Sequence, residues 1–197
     1  MSQDVVTAMM NQFLIETHYP SIDEFEVLFQ NKGPDDSEGK STINGYQFDV
    51  TNRIKKDFNH VTEWIEGKCR ANKIPIKNLK ISLSSCIAYG DGQYQPMHNH
   101  EPGPVISVVF YLDGQTEPTY KGKDIVGTKT RQTTFGMLYT IMPQPDGTCL
   151  LQNHIPKRGQ CLILDGKVFH GVYPVKKLRR SVVIDFDYDW LEAEEKV

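Results

Sequence analysis

The chain has 197 residues, a length that fits a single domain, 1–197, with extra elements at its start. Apolar residues make up 39%, enough for one core, and the formal net charge of −3 argues against a general nucleic-acid or membrane-surface binder. No signal-peptide pattern and no apolar run approaching about 18 residues is visible, so no membrane segment and a cytoplasmic, reducing setting are expected. Cys69, Cys86, Cys149 and Cys161 form no C-x-x-C pair, which excludes a zinc ribbon or thioredoxin-like motif. They read as small buried apolar residues.

Residues 1–78 are expected to be a helical and loop region. Ser21-Ile22-Asp23-Glu24 opens a helical turn, with Ser21 as cap and Glu24 at the capping-box position. Asn31 to Gly45, rich in Gly, Asp, Ser and Lys, reads as a loop. Thr51 to Arg70 is the clearest helix. Ile54, Phe58, Val61 and Ile65 recur on one face, Thr51 caps the start, and Pro75 blocks continuation.

From Leu79 the pattern changes to strands. Leu79 to Tyr89 places Ile81, Leu83, Ser85 and Ile87 on one face and Ser82, Ser84, Cys86 and Ala88 on the other. Further strands are expected over Val105 to Leu112, Thr133 to Met142, Cys149 to Gln152, Gln160 to Leu164, Val168 to Val175 and Leu178 to Phe186. Gly90-Asp91-Gly92, Asp113-Gly114, Asp146-Gly147 and Asp165-Gly166 punctuate them as turns. Many short strands after a leading helix predict a mainly β sandwich or barrel, with its core over 79–187.

His98-Asn99-His100 stands out chemically. On a strand, the two histidines share a face with Cα atoms about 6.6 Å apart, and both imidazoles reach one metal at about 2 Å. His170, on a distant strand, supplies a third imidazole. Such a set suits iron, copper, nickel or zinc. His18, His60 and His154 read as structural or surface residues.

The C-terminal order sharpens this. Phe169-His170-Gly171-Val172 is followed by Arg179-Arg180-Ser181, with Arg179 and Ser181 on one strand face. A guanidinium forks onto a carboxylate with two charge-assisted hydrogen bonds, and a hydroxyl adds another. Arg180, on the other face, reads as a solvated basic edge.

This arrangement, over Leu79 to Phe186, resembles the double-stranded β-helix (jelly roll) of the Fe(II)/2-oxoglutarate-dependent oxygenases. It is closest to the small oxygenases of phage and bacterial genomes with an H-x-H first motif. The resemblance implies Fe(II) on His98, His100 and His170, and 2-oxoglutarate held by Arg179 and Ser181. It places Tyr111 and Ser107 beside the co-substrate. It implies a dioxygenase that uses O2 to hydroxylate a protein side chain or small metabolite, and a phage-encoded form would act in the host cytoplasm. The family's usual carboxylate is replaced by His100. Either His100 is the third ligand, or a kink near Pro102 brings in Glu101. Two other readings stay open: a cupin-like three-histidine enzyme without 2-oxoglutarate, and a non-enzymatic sandwich that binds a sugar or a partner.

Overall fold

The structure, a computed structural model, describes residues 5–9, 12–30, 33–35, 45–100, 103–114 and 136–191. Within these residues two antiparallel sheets face each other, and helices cover the back of the larger one. The larger sheet is built from β1 (Val5–Met9), β2 (Gln12–His18), β3 (Tyr46–Asp49), β4 (Ile76–Tyr89), β6 (Val105–Tyr111), β9 (Gln160–Asp165) and β11 (Arg179–Trp190). Its order is β1-β2-β9-β6-β11-β4-β3. The smaller sheet runs β5-β10-β7-β8, from β5 (Gln95–His98), β7 (Leu138–Pro143), β8 (Cys149–His154) and β10 (Phe169–Val172). This is the jelly-roll architecture expected from the strand pattern.

Central strands β6 and β9 read as nearly unbroken apolar runs because both faces are covered. Ile106, Val108 and Phe110 of β6, with Cys161 and Ile163 of β9, pack toward the helices. Val109, Tyr111, Leu162 and Leu164 pack into the space between the sheets. Removing such side chains from water contributes about 1.5–3 kcal/mol each.

The expectation of helix and loop over residues 1–78 misses β1, β2 and β3. In β2, Phe13, Leu14 and Ile15 are buried in succession, because the strand lies between helices and the second sheet. A short unbroken apolar run has no period to distinguish strand from helix.

The expected helix over Thr51 to Arg70 is two helices, α2 (Thr51–Asp57) and α3 (Asn59–Ala71). They follow the single turn α1 (Glu26–Gln30). The backbone breaks at Phe58, whose φ of −128° is not helical. Ile54, Phe58, Val61 and Ile65 are all buried regardless, and the Phe58 ring packs at a tilt against Phe25, with centroids 5.3 Å apart. Thr51 does not cap. Its Oγ accepts the Ser84 N–H at 2.7 Å and pins α2 to β4, while Asp49 Oδ1 takes the Thr51 N–H at 2.6 Å. Ser21 makes no side-chain cap either; the Glu24 carboxylate instead meets the Tyr19 hydroxyl and His60.

Two face assignments also shift. The β4–β11 ladder slips between the Asp185–Leu83 and Phe186–Ile81 pairs, leaving Ser82 as the extra residue of a bulge. Ile81 therefore packs on the helix side, while Leu83, Ser85 and Ile87 keep the inner face. Arg180 is no solvated edge. It donates to both Asp113 oxygens, at 2.9 and 2.8 Å, and to Glu26 at 2.7 Å, tying α1 to β11. Among the cysteines, Cys149 is exposed and the other three are buried. No helix among the described residues is long and apolar enough to cross a membrane.

Candidate metal centre

A cavity of about 170 Å³ lies between the sheets. His98, His100, His170, Ser107, Arg179, Ser181 and Asp185 line it, with Ile87, Tyr89, Val109, Leu138, Val172 and Val183 among its apolar wall. The polar side chains reach it because β6 and β11 each turn alternate residues inward. On β11 these are 179, 181, 183 and 185, while Val182, Ile184 and Phe186 pack toward the helices.

His98 ends β5 and stands directly opposite His170 of β10. A Cβ on Gly171, beside His170, would collide with the Tyr139 hydroxyl and lie 2.8 Å from the Gln95 carbonyl. Only glycine lets β5 and β7 close in around β10 there. His100 lies beyond β5, not on a regular strand as expected. Its N–H donates to Gly166 O at 2.8 Å, so the turn between β9 and β10 holds it. Glu101 and Pro102, the alternative source of a ligand, lie outside the described residues.

The ligand atoms of His98, His100 and His170 all lie within 4.8 Å of one another. No other group of three or more His, Cys, Asp or Glu side chains among the described residues is so placed. His98 Nδ1 donates to Pro96 O at 3.0 Å and His170 Nδ1 to Val168 O at 2.9 Å. A carbonyl only accepts, so Nδ1 carries the proton and Nε2 keeps its lone pair. His100 Nδ1 lies 3.4 Å from Asp185 Oδ2, and its buried Nε2 has no hydrogen-bond partner among the described residues. Burial pushes the His170 imidazole down to about 3, helped by the neighbouring histidines, and lowers His98 as well. Neutral imidazoles with converging lone pairs are the donor set a divalent first-row metal such as Fe(II) requires.

Arg179 is 1% exposed, yet it forms no ion pair among the described residues, and its Nε and Nη1 have no hydrogen-bond partner there. Its guanidinium lies 4.8 Å from the Tyr111 ring centre and 5.5 Å from that of Tyr89, a cation–π clamp that orients it without neutralising it. Buried, unpaired cations are rare because desolvation is costly. The arrangement therefore calls for an anion in the cavity. Ser181 lines the cavity beside it, and the Ser107 hydroxyl is buried without a partner among the described residues. The Tyr111 hydroxyl is also buried, and burial suppresses its acidity to about 12 against the opposing pull of the adjacent Arg179 cation, although Tyr111 contributes to the packed core rather than the cavity wall.

Asp185 is the residue that motif reasoning misses. It continues the inward alternation of Arg179 and Ser181, which was the available signal, but no motif extends to it. The histidines expected to be structural are so. His154 is buried, with Nε2 3.1 Å from Thr140 Oγ1 and Nδ1 3.2 Å from Glu16, whose carboxyl it holds below the usual range. His60 pairs with Glu24, and the His18 ring packs against Gly159.

No protein-family model and no curated protein sequence matches the chain. Solved structures do match. A Pseudomonas putida prolyl-4-hydroxylase is 14% identical over 88% of this chain and 91% of its own, with a TM-score of 0.59. The fold is that of the 2-oxoglutarate/Fe(II) oxygenases. A viral collagen prolyl hydroxylase from Paramecium bursaria Chlorella virus-1, in complex with 2-oxoglutarate, is 14% identical over 88% of this chain and 96% of its own, TM-score 0.57. HygX from Streptomyces hygroscopicus, with nickel, 2-oxoglutarate and hygromycin B bound, is 9% identical over 88% and 81%, TM-score 0.59. In this oxygenase fold the present chain carries its three histidines and Arg179 around one cavity.

Proposed function

We propose that the protein is an Fe(II)- and 2-oxoglutarate-dependent oxygenase that hydroxylates a protein side chain or a small metabolite. The observation that carries this reading is Arg179, a buried cation with no ion pair among the described residues, in the same cavity as three convergent imidazoles. His98, His100 and His170 would hold the metal. Arg179 would take the distal carboxylate of 2-oxoglutarate by two parallel N–H donors, with Ser181 adding a hydroxyl and the Tyr89 and Tyr111 rings fixing the guanidinium plane. When bound, Fe(II) and 2-oxoglutarate with O2 supply the oxidising power to convert a C–H bond to C–OH, releasing succinate and carbon dioxide.

The protein's own contribution is placement and exclusion of water. Ile87, Val109, Leu138, Val172 and Val183 form a dry wall, so the charge pairing of Arg179 with an anion is worth more than in water. Among the similar structures one is a collagen prolyl hydroxylase and another holds bound hygromycin B, a protein case and a small-molecule case on the same fold. A reducing interior fits both the Fe(II) state and the free cysteines.

Thermal unfolding tests this reading with a small panel: metal alone, metal with pyruvate, and metal with 2-oxoglutarate. Saturating 2-oxoglutarate at about 100 times its Kd adds roughly 2.7 kcal/mol, a rise of about 5–10 °C. Pyruvate, which lacks the distal carboxylate, is expected to give a smaller rise. Stabilisation by metal but by neither acid would overturn the 2-oxoglutarate reading and favour a three-histidine enzyme of the cupin type, to which the all-imidazole donor set equally belongs. No response to any metal would overturn both.

A further inference from the structure

Asp185 is an expensive residue to keep where it is. It is 8% exposed and sits on β11 between Leu83 of β4 and Ser107 of β6. Its Oδ1 is buried without a hydrogen-bond partner among the described residues, and its Oδ2 lies 3.4 Å from His100 Nδ1. The Ser82 hydroxyl at 3.1 Å serves the Asp185 backbone carbonyl, not the carboxylate. A buried carboxylate costs several kcal/mol unless it is paired and hydrogen-bonded. Asp185 has neither a lysine nor an arginine partner among the described residues. Packing does not explain it, since alanine or valine would fill the same inward position of the strand.

Its placement does explain it. Asp185 is absent from the cluster whose ligand atoms lie within 4.8 Å of one another, so it touches the metal site through His100 rather than joining it. His98 and His170 fix their tautomers by donating Nδ1–H to backbone carbonyls. His100, outside the β5 ladder, has no such carbonyl among the described residues and meets a carboxylate instead. A carboxylate behind a ligating imidazole orients the ring and raises its donor strength. It also carries a full negative charge, which three neutral imidazoles lack.

We propose that Asp185 is a positioning residue of the metal site: its carboxylate holds the His100 imidazole with Nε2 toward the metal and supplies, one residue removed, the negative charge missing from an H-x-H motif. This rests on the three-histidine metal reading above. The long strand β11 would then serve both ends of the cavity. Arg179 offers a cation for the co-substrate, and Asp185, six residues on, offers an anion for the metal.

The test is anaerobic calorimetry of Fe(II), with Co(II) as a spectroscopic substitute, on wild type, Asp185→Asn, Asp185→Glu and His100→Gln, and on the His100→Gln/Asp185→Asn double variant. Thermal unfolding of each metal-free protein runs alongside. Asp185→Asn is expected to weaken metal binding about 10–100-fold, with metal-free stability unchanged or raised. Asp185→Glu is expected to recover part of the loss. The Asp185→Asn effect is expected to vanish in the His100→Gln background, since it acts through that ring. The Co(II) spectrum of Asp185→Asn should change as the His100 ligand field weakens. Equal metal affinity in wild type and Asp185→Asn would overturn the proposal and leave the metal reading intact. A loss of metal-free stability together with metal affinity, unrelieved by glutamate, would reduce Asp185 to a structural residue. A wild type that binds no metal would overturn the reading on which the proposal rests.

Discussion

Replacing Arg179 with methionine removes a buried cation that has no ion pair among the described residues and keeps most of the side-chain volume. Isosteric replacement of buried charge by apolar groups is often neutral or stabilising, by about 1–4 kcal/mol. Arg179→Met is therefore expected to leave the ligand-free protein at least as stable as wild type in denaturant unfolding; a clear loss would mean that Arg179 is structural. His170 makes a second prediction. Its folded-state value near 3 lies below the ordinary histidine range near 6.5. Between those values the unfolded chain binds a proton that the folded chain does not, so stability falls as pH falls. Metal-free protein should lose about 1.4 kcal/mol per pH unit from this residue on acidification from about pH 6 to pH 4. His170→Gln should flatten that slope in unfolding experiments across the range. Arg179 and Ser181 were legible because alternation on a strand places like-facing residues two apart, whereas His100 reaches the cavity from beyond β5, held by Gly166 rather than by the strand alternation expected of it. Asp185 obeys the same alternation, but a lone aspartate on a strand signals nothing until His100 is seen 3.4 Å away.

Among the elements, β10 shows how tightly the site is framed. Gly171 admits the Tyr139 hydroxyl and the Gln95 carbonyl where a Cβ would stand. Gly171→Ala should force β5 and β7 apart, cost about 1–3 kcal/mol as overpacking does, and weaken metal binding because His98 and His170 are paired across that seam. Calorimetry and unfolding of this one variant check both effects. Sequence patterning located most strands within a few residues. It could not show the bulge at Ser82, which reverses Ile81, because a bulge depends on the facing strand β11 rather than on local sequence. It also merged α2 and α3, since Phe58 keeps the helical phase of the apolar stripe while its backbone leaves the helix.

For the whole molecule, the N-terminal strands matter more than their sequence indicates. β2 pairs with β9 in register from Leu14–Leu164 to His18–Gln160, and buries Phe13, Leu14 and Ile15. Together with Tyr19, these four side chains represent roughly 6–12 kcal/mol of burial. That is comparable to the entire stability of a typical domain, about 5–15 kcal/mol. Deleting residues 1–19 should therefore yield an unfolded or aggregated chain with an exposed β9 edge; a truncated protein that unfolds cooperatively near the wild-type midpoint would contradict this. The sandwich itself was legible from short strands and Gly turns. The contribution of β2 and β3 was hidden because their pairing with β9 and β4 is non-local, and β1, which pairs locally with β2, has a short pattern.

The account's central claim is that one cavity binds a metal on three histidines and a dicarboxylate on Arg179. Anaerobic calorimetry of 2-oxoglutarate into wild type and Arg179→Met, each with and without Fe(II), tests it most directly. The account predicts tight binding to the Fe(II)-loaded wild type, much weaker binding without metal, and a loss of about 30-fold or more in Arg179→Met, the 2–5 kcal/mol typical of a buried charge pair. Binding of 2-oxoglutarate that is indifferent to Arg179, or absent from the Fe(II)-loaded wild type, would contradict it.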